Sequence, residues 1–378
     1  MIALEDILEE SVGKGATIVY LKVGIPPMFR VAERLQISEF DPISKDEIKE
    51  LVKTLLTEQQ QARLEANHDI VISYSVPRVG LFHVSVSKTE NTYCLATKHV
   101  PFQIPDLSAL HLPAVCEKDL LKRDKGLILV TGPTRSGRST TLAAFIEWIN
   151  QNRSEHIITI ENPTEYLHRH RKSIVSHFGL CENESYASAI RRARRQSPDV
   201  IQLCVIEDKE DIAEAISAAE SGILVFASMS TSSAAQTIDR IVDVFPEAQQ
   251  QQIRVQLSNC LVAVLSQTLV LRSGIEADTG LQPCFQRQIA ACELMINRAA
   301  TANLIREAKT AQVYSAIQMG APNGMQTLES SLAQLVKSGL VNRQDALTKS
   351  GRPDDFNRFL GAKGPDEDPP AAAALRRP

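Results

Sequence analysis

The sequence lacks the features that would place the chain in a membrane, on a secretory route or on nucleic acid. No stretch approaches the roughly 18 consecutive apolar residues of a membrane-spanning helix. The start has no basic segment followed by an apolar one, so we expect a cytoplasmic chain without direct membrane insertion. The net charge is −4. Because bulk binding to nucleic acid needs basic groups to neutralise phosphates, we expect no nucleic-acid partner.

Frameworks of disulfides or zinc ligands are also missing from the sequence. The seven cysteines are scattered, with no Cys-x-x-Cys pair and no histidine nearby at metal-ligand spacing. This usage is typical of reduced, mostly buried thiols in a cytoplasmic protein.

The length and composition predict two globular domains. The chain has 378 residues, 43% of them hydrophobic and 23% charged. Residues 1–100 predict a small α+β domain, with strands at 16–23, 29–31, 69–74, 80–88 and 93–100 and helices at 45–56 and 58–67. The segment 101–113 holds three prolines, so residues 101–112 are predicted to be an interdomain linker.

Residues 113–352 are predicted to form an α/β domain. Strands and helices alternate there, which is the signature of a parallel sheet with crossover helices. Strands are predicted at 127–130, 156–160, 200–206 and 223–228. Residues 234–347 are predicted to be mainly helical. Residues 353–378 are predicted to be a disordered tail, because their composition cannot bury a core.

The most informative segment is a phosphate-binding loop whose lysine is replaced. The P-loop pattern is a Gly, four residues, then Gly-Lys and Ser or Thr, between a buried strand and a helix. Gly132, Gly137 and Ser139 keep that spacing, but Arg138 occupies the lysine position. Arginine is not a neutral replacement for lysine, so the loop indicates nucleotide binding and puts hydrolysis in question. The predicted nucleotide-binding residues are Gly132, Pro133, Thr134, Arg135, Ser136, Gly137, Arg138, Ser139 and Thr140, with Ser139 as the candidate magnesium ligand.

Two basic runs, at residues 168–172 and 191–195, stand close to the other motifs. One interpretation is a solvated helix or loop face. The other is contact with nucleotide or with a neighbouring subunit.

Several blocks in addition to the P-loop occur in order along the chain. Among them are Ile-Glu-Asn-Pro-Thr-Glu at 160–165 and a long block at 231–246, and the full set lies at 15–16, 24–31, 130–134, 139–144, 157–165, 197–201, 231–246, 303–307 and 316–320. In these blocks the chain resembles the type IV pilus retraction ATPases, the twitching-motility motors among the secretion ATPases. The blocks occur at family spacing, and the resemblance covers residues 1 to about 355. A collinear set of this kind is far more specific than a lone P-loop.

The resemblance implies a RecA-like P-loop ATPase domain with a smaller N-terminal PAS-like α+β domain. It further implies ATP and Mg as ligands, with ATP between the two domains of one subunit and basic residues of a neighbour reaching it. The expected assembly is a homo-hexamer, or a mixed hexamer with an intact retraction ATPase. Such a ring would act in the cytoplasm, peripherally, on the inner-membrane platform of a type IV pilus machine.

The chain departs from the family pattern at the residues that carry chemistry. The family P-loop has Gly where Arg135 stands and Lys where Arg138 stands. The family's Walker B strand ends in Gly-Glu before Met-Arg-Asp, and here Val205 replaces that Glu and cannot bind a hard cation or accept a proton. Glu207 is not expected to substitute for it, because strand spacing of roughly 3.3 Å per residue puts it about 6.6 Å further along.

Further departures fall on the histidine box and on the N-terminal strands. Ser230 replaces the family histidine. The family's three strand arginines, which include the fingers that reach the next subunit's site, correspond to His83, Asn91 and Lys98. Glu165, in contrast, matches the carboxylate that polarises the attacking water in the family, and it is the candidate catalytic base; the alternative is an ordinary acidic residue at a strand exit.

Losses at four motifs within a family-like hydrophobic framework indicate selection on fold and assembly rather than on hydrolysis. The sequence therefore predicts an ATP-binding accessory or regulatory subunit of a retraction motor, with weak or lost hydrolysis. Two alternatives stay open. One is an active hexameric ATPase that drives retraction with Arg138 and Glu165, and the other is a nucleotide-independent scaffold at the pilus base.

Overall fold

The computed structural model describes residues 4–31, 34–77, 79–89, 92–100, 104–180, 184–273 and 288–361. Of these, the residues within 4–109 and 139–204 form one compact unit, and those within 110–138, 205–273 and 288–361 form a second. This grouping does not follow the domain boundary expected near residue 112, which stays a prediction. None of the helices in the described ranges has the length and apolar character needed to span a bilayer.

The N-terminal sheet is antiparallel throughout the pairings that the structure describes. Its strands are β1 (Ile18–Lys22), β2 (Met28–Val31), β3 (Arg34–Ile37), β4 (Asp69–Val76), β5 (Gly80–Thr89) and β6 (Thr92–Val100). They lie in the order β3-β2-β1-β6-β5-β4. The predicted strands are confirmed to within a few residues, whereas β3 was not predicted. All four β3 side chains are exposed, so this edge strand carries no alternation of apolar and polar residues that a sequence could reveal.

Three helices accompany this sheet: α1 (Leu4–Gly13), α2 (Lys45–Leu55) and α3 (Glu58–Asn67). Helices α2 and α3 each begin with a capping box, in which Ser44 or Thr57 accepts from the backbone three residues on and receives a side chain in return. Both helices were predicted from their helical spacing, and the caps are local signals that agree with that prediction. The helices bury Leu8, Ile48 and Leu64 in a common core with the sheet.

The second sheet has seven strands in the order β13-β12-β7-β11-β10-β8-β9. The strands are β7 (Gly126–Thr131), β8 (His156–Ile160), β9 (Ile174–Phe178), β10 (Val200–Val205), β11 (Leu224–Met229), β12 (Leu261–Leu271) and β13 (Gln288–Ile296). The pairs β8–β9, β10–β8, β11–β7 and β12–β7 are parallel, and β12–β13 is antiparallel. Every residue of β7 and β11 is buried, as expected for inner strands of a parallel sheet covered on both faces.

The crossover and C-terminal helices are α4 (Val115–Lys118), α5 (Arg138–Asn152), α6 (Tyr186–Arg194), α7 (Lys209–Glu220), α8 (Ala234–Asp243), α9 (Glu247–Cys260), α10 (Ala299–Arg306), α11 (Val313–Met319), α12 (Leu328–Lys337), α13 (Arg343–Lys349) and α14 (Pro353–Leu360). Short 3-10 turns lie at Leu107–Leu110, Leu120–Lys122, Thr310–Gln312 and Ala321–Asn323. The first of these falls inside the segment that was predicted to be a linker.

The prediction that helices dominate residues 234–347 is wrong for β12 and β13. Most positions of both strands are buried on either face, so most of their residues are apolar and do not alternate with polar ones. An apolar run of this kind shows no period of two, so it cannot be distinguished by pattern from a buried helix.

The prediction of a disordered tail from residue 353 is wrong for its first eight residues. They form α14, which begins with Pro353 and buries Phe356 completely. Proline at the first helical position and one buried aromatic are enough to anchor a single helix, although the segment as a whole is too polar to bury a core. Residues 362–378 lie outside the described ranges.

Candidate functional site

The phosphate-binding loop joins β7 to α5, and it contacts Gln267 of β12. Gly132 has φ 149°, and a Cβ there would lie 2.3 Å from the Gln267 backbone oxygen and 2.5 Å from Ser136 Oγ. The Gln267 side chain donates from Nε2 to the Ser136 carbonyl at 2.7 Å. The loop therefore requires glycine at 132, and the Gln267 side chain of β12 supports it by a hydrogen bond. Sequence reasoning missed Gln267, because its strand was interpreted as helix.

Arg135 adopts a backbone conformation that favours glycine. Its φ is 66°, in the left-handed region that costs an L-residue on the order of 1–2 kcal/mol, and its side chain is exposed. The chain follows the tight curve, and the arginine points outward.

Arg138, the first residue of α5, is connected to two other residues of the site. Its Nη1 donates to Ser230 Oγ at 3.1 Å, and the Ser230 hydroxyl donates to Glu207 Oε1 at 3.0 Å. β10 ends at Val205, so Glu207 lies beyond the strand. The extended spacing that we applied to Glu207 does not hold there, and sequence reasoning missed its link to Arg138.

Val205 is the last residue of β10 and is half-buried. The sequence assigned the Walker B carboxylate position to Val205, and that assignment stays a prediction; the Val205 side chain itself carries no oxygen. Among the residues that the structure describes, no cluster of three His, Cys, Asp or Glu side chains could hold a metal ion. A magnesium ion here would have Ser139 and the nucleotide phosphates as ligands, a mode of binding in which Mg²⁺ keeps several waters.

Glu165 belongs to a group of residues that follow β8. Its backbone N–H donates to Glu161 Oε2 at 2.9 Å, and Gln202 Nε2 donates to Glu161 Oε1 at 2.6 Å. The neighbouring Tyr166 hydroxyl is 2.8 Å from Thr140 Oγ1 in α5. Glu165, the candidate base, is half-buried, and the Glu161 carboxylate binds its backbone N–H. Sequence reasoning missed Glu161 and Gln202, although Glu161 lies within the motif that singled out Glu165.

Glu161 has an unusual protonation equilibrium. It is 5% exposed, and burial raises its pKa to about 7, against the lowering effect of the hydrogen bonds from Glu165 and Gln202. A carboxyl that is protonated more readily in the folded state stabilises the fold below its unfolded pKa. That contribution is lost as the pH rises through about 7.

We expect Glu161→Gln to flatten the dependence of thermal stability on pH between 4.5 and about 7. The amide cannot ionise, so it removes the loss of stability that ionisation of Glu161 causes in that window, while buried Glu293, whose pKa burial raises to about 6, keeps its own contribution. Melting temperatures measured across this range test the prediction. Glu9→Gln, which neutralises an exposed acid in α1, is the matched control. Parallel pH profiles for native and Glu161→Gln chains would contradict it.

His83 and Lys98, the two described positions that the sequence comparison predicted to match the family's strand arginines, differ in their surroundings. His83 on β5 is buried, and its Nε2–H donates to the Thr164 carbonyl, next to Glu165. It is committed within its own chain rather than directed outward as a finger. Lys98 on β6 is paired opposite His83 in the sheet, and it is exposed. Asn91 lies outside the described residues.

The basic runs are largely engaged within the chain. His168 is buried, with Nδ1 3.1 Å from Glu147 Oε2 and its ring stacked on His177. Arg192 forms a salt bridge of 2.9 Å with Glu184 and lies over the Phe178 ring. These contacts favour a structural role for the two residues over nucleotide binding.

The chain is similar to known motor proteins along nearly its whole length. The family profile described as type II/IV secretion system protein matches residues 94–347. The type IV pilus retraction ATPase PilT of Pseudomonas aeruginosa is 36% identical over 354 residues, which cover 93% of this chain and 99% of that protein. The type IV pilus ATPase PilU of the same organism is 30% identical, over 94% of this chain and 91% of that one.

Solved structures agree with these sequence matches. A crystal structure of the pilus retraction motor PilT with bound ADP superposes with a TM-score of 0.85 at 38% identity, covering 95% of this chain and all of that one. The ATPase DotB of Legionella pneumophila has a TM-score of 0.77 at 21% identity over 95% of this chain and 96% of that one, which supports the fold alone. The mixed α/β fold, with a β-rich N-terminal part and a larger part built on a parallel sheet, is therefore that of these ATPases.

Proposed function

This chain belongs to the type II/IV secretion protein family, in its branch of type IV pilus retraction ATPases, and on that premise we propose that it is an ATP-binding accessory or regulatory subunit of a retraction motor, with weak or lost hydrolysis. The observation that carries the proposal is Val205 at the end of β10. An isopropyl group there neither supports magnesium nor takes a proton from water, and loss of a general base alone costs about 10² to 10⁴ in rate.

Nucleotide binding is proposed to outlast hydrolysis. The loop keeps the glycine conformations at Gly132 and Gly137, and α5 is long enough to present a dipole to an anion. Arg138 retains positive charge, and Ser139 retains a hydroxyl for magnesium. We propose that binding is weaker and less dependent on magnesium than in the family, since Val205 removes a carboxylate.

The assembly is proposed to be a ring of six subunits, either of this chain alone or mixed with an intact retraction ATPase. Because His83 is buried, Lys98 is the exposed basic side chain among the described finger positions. Arginine fingers contribute on the order of 10³ to 10⁵ in rate, so a mixed ring would supply what this chain lacks. The ring would act in the cytoplasm at the inner-membrane pilus base.

A working motor is the alternative function. It is favoured by Glu161 and Glu165, which keep the family's motif. The Glu161 carboxylate accepts from Gln202 Nε2 and from the Glu165 backbone N–H. In this reading Glu165 polarises water, and Arg138 takes the role of the lysine.

Steady-state phosphate release distinguishes the two functions. Purified chain with ATP and Mg²⁺ is expected to turn over at least about 10²-fold more slowly than a homologue with an intact Gly-Lys-Ser-Thr loop, because the Walker B carboxylate is absent. Calorimetry on the same preparation separates binding from hydrolysis. Turnover equal to the homologue's would establish the working motor instead, and a chain that binds neither ATP nor ADP would favour the scaffold.

A further inference from the structure

Three positions at which this chain departs from the family pattern are joined by hydrogen bonds. Arg138 Nη1 donates to Ser230 Oγ at 3.1 Å, and Ser230 donates to Glu207 Oε1 at 3.0 Å. They come from three elements: the start of α5, the turn after β11 and the turn after β10. The family has Lys, His and Arg at these places, so the charge at Glu207 is reversed. A set of departures that contact one another points to a shared role.

The geometry sets up a competition for the Arg138 guanidinium. In a P-loop the residue at this position contacts the β- and γ-phosphates, while backbone amides cradle the α- and β-phosphates. Here the guanidinium shares the Ser230 hydroxyl with the Glu207 carboxylate. A γ-phosphate therefore meets an arginine that is already engaged, and a carboxylate of its own sign nearby. A nucleoside diphosphate has no γ-phosphate, so it avoids most of the repulsion from Glu207 and does not need to release Arg138 from Ser230.

We propose that Glu207, acting through Ser230, sets the nucleotide preference of the P-loop by holding Arg138 back from the γ-phosphate. The site then takes a nucleoside diphosphate in preference to a triphosphate. The inference rests on nucleotide binding at the P-loop, which is part of the proposed function. Glu207 and Ser230 are positioning residues here, and Arg138 is the group that touches the ligand.

The test is a comparison of ATP and ADP dissociation constants by calorimetry on the full chain. Glu207→Gln keeps the side chain's size and removes its charge. It is expected to tighten ATP by about fivefold, the upper range for an exposed ion pair, and to leave ADP nearly unchanged. Glu210→Gln, which neutralises an exposed acid in the first turn of α7, is the matched control and should move neither constant.

A double-mutant cycle tests the route through Ser230. Where Ser230→Ala is already present, Glu207→Gln is expected to lose most of its effect on ATP, because the hydroxyl that joins Glu207 to Arg138 is gone. An undiminished fivefold effect would show that Glu207 repels the phosphate directly, and the proposed role of Arg138 would be wrong.

Failure of this inference is distinct from failure of the proposed function. A native chain that binds nucleotide, with a ratio of ATP to ADP affinity that Glu207→Gln does not change, overturns the inference alone. A native chain that binds no nucleotide, with ATP binding restored by Glu207→Gln, supports the inference and refutes nucleotide binding by the native protein. Absence of binding in every variant overturns both.

Discussion

Replacing Arg135→Gly, Arg138→Lys and Val205→Glu together is expected to restore nucleotide affinity first, and hydrolysis only where a neighbouring subunit supplies arginines. The glycine removes the strain of a left-handed arginine, the lysine returns a point charge to the phosphates, and the glutamate returns a carboxylate to the end of β10. None of these changes provides a finger. His83 is buried and bonded to the Thr164 carbonyl, so it cannot serve as one without leaving that position.

The expected size of this effect is large. Fingers from a partner contribute about 10³ to 10⁵ in rate. The restored carboxylate, a loss of which costs about 10² to 10⁴, acts fully only when the fingers are present, because such residues act as a unit. Phosphate release is measured for the triple variant alone and in a ring mixed with an intact homologue whose own turnover is subtracted. Substantial recovery is expected in the mixed ring only.

Arg138→Lys by itself is the control for that experiment. It is expected to restore little turnover, because the side chain at Val205 still offers no oxygen to magnesium. Ser230 and Glu207 also remain unchanged. Robust turnover of this single variant in a ring of this chain alone would show that the proposed loss of hydrolysis is not caused by the other departures from the family pattern. Those departures would then be neutral, and the proposed function would be wrong.

Phe356→Ala is expected to destabilise the chain by about 3–5 kcal/mol. Phe356 is fully buried and belongs to a cluster with Leu332 of α12, Ala346 of α13 and Ile289 of β13. Removing its ring leaves a cavity among elements that the rest of the sheet holds in place, so collapse is limited. A shift of the thermal transition to lower temperature, followed by circular dichroism, measures the loss.

Phe359→Ala offers a matched comparison within the same helix. Phe359 packs against the cluster but is half-buried, so its truncation removes less buried surface and should cost clearly less. Equal losses for the two variants would contradict the anchoring role of Phe356. Deletion of the chain from residue 353 should resemble Phe356→Ala, since it removes the same ring.

Much of the fold could be predicted because its signals are local. The buried strand, the spaced glycines and the helical spacing of apolar residues that follows them lie within the one short segment 127–149. The capping boxes at Ser44 and Thr57 similarly begin their helices within four residues. β12, β13 and β3 could not be assigned in this way, because strands that are covered or exposed on both faces show no alternation.

The sequence by itself determined the family, the spacing of the loop residues and the apolar residue type at Val205, since these depend on residue type and spacing alone. Only the tertiary structure decided what the replacements do. Arg138 meets Ser230 across 92 residues of chain, Gln267 supports Ser136 across 131, and His83 turns to the Thr164 carbonyl across 81. Contacts at such separations depend on the register of strands and the ends of helices, and no local pattern encodes which distant side chain a buried or charged group will meet.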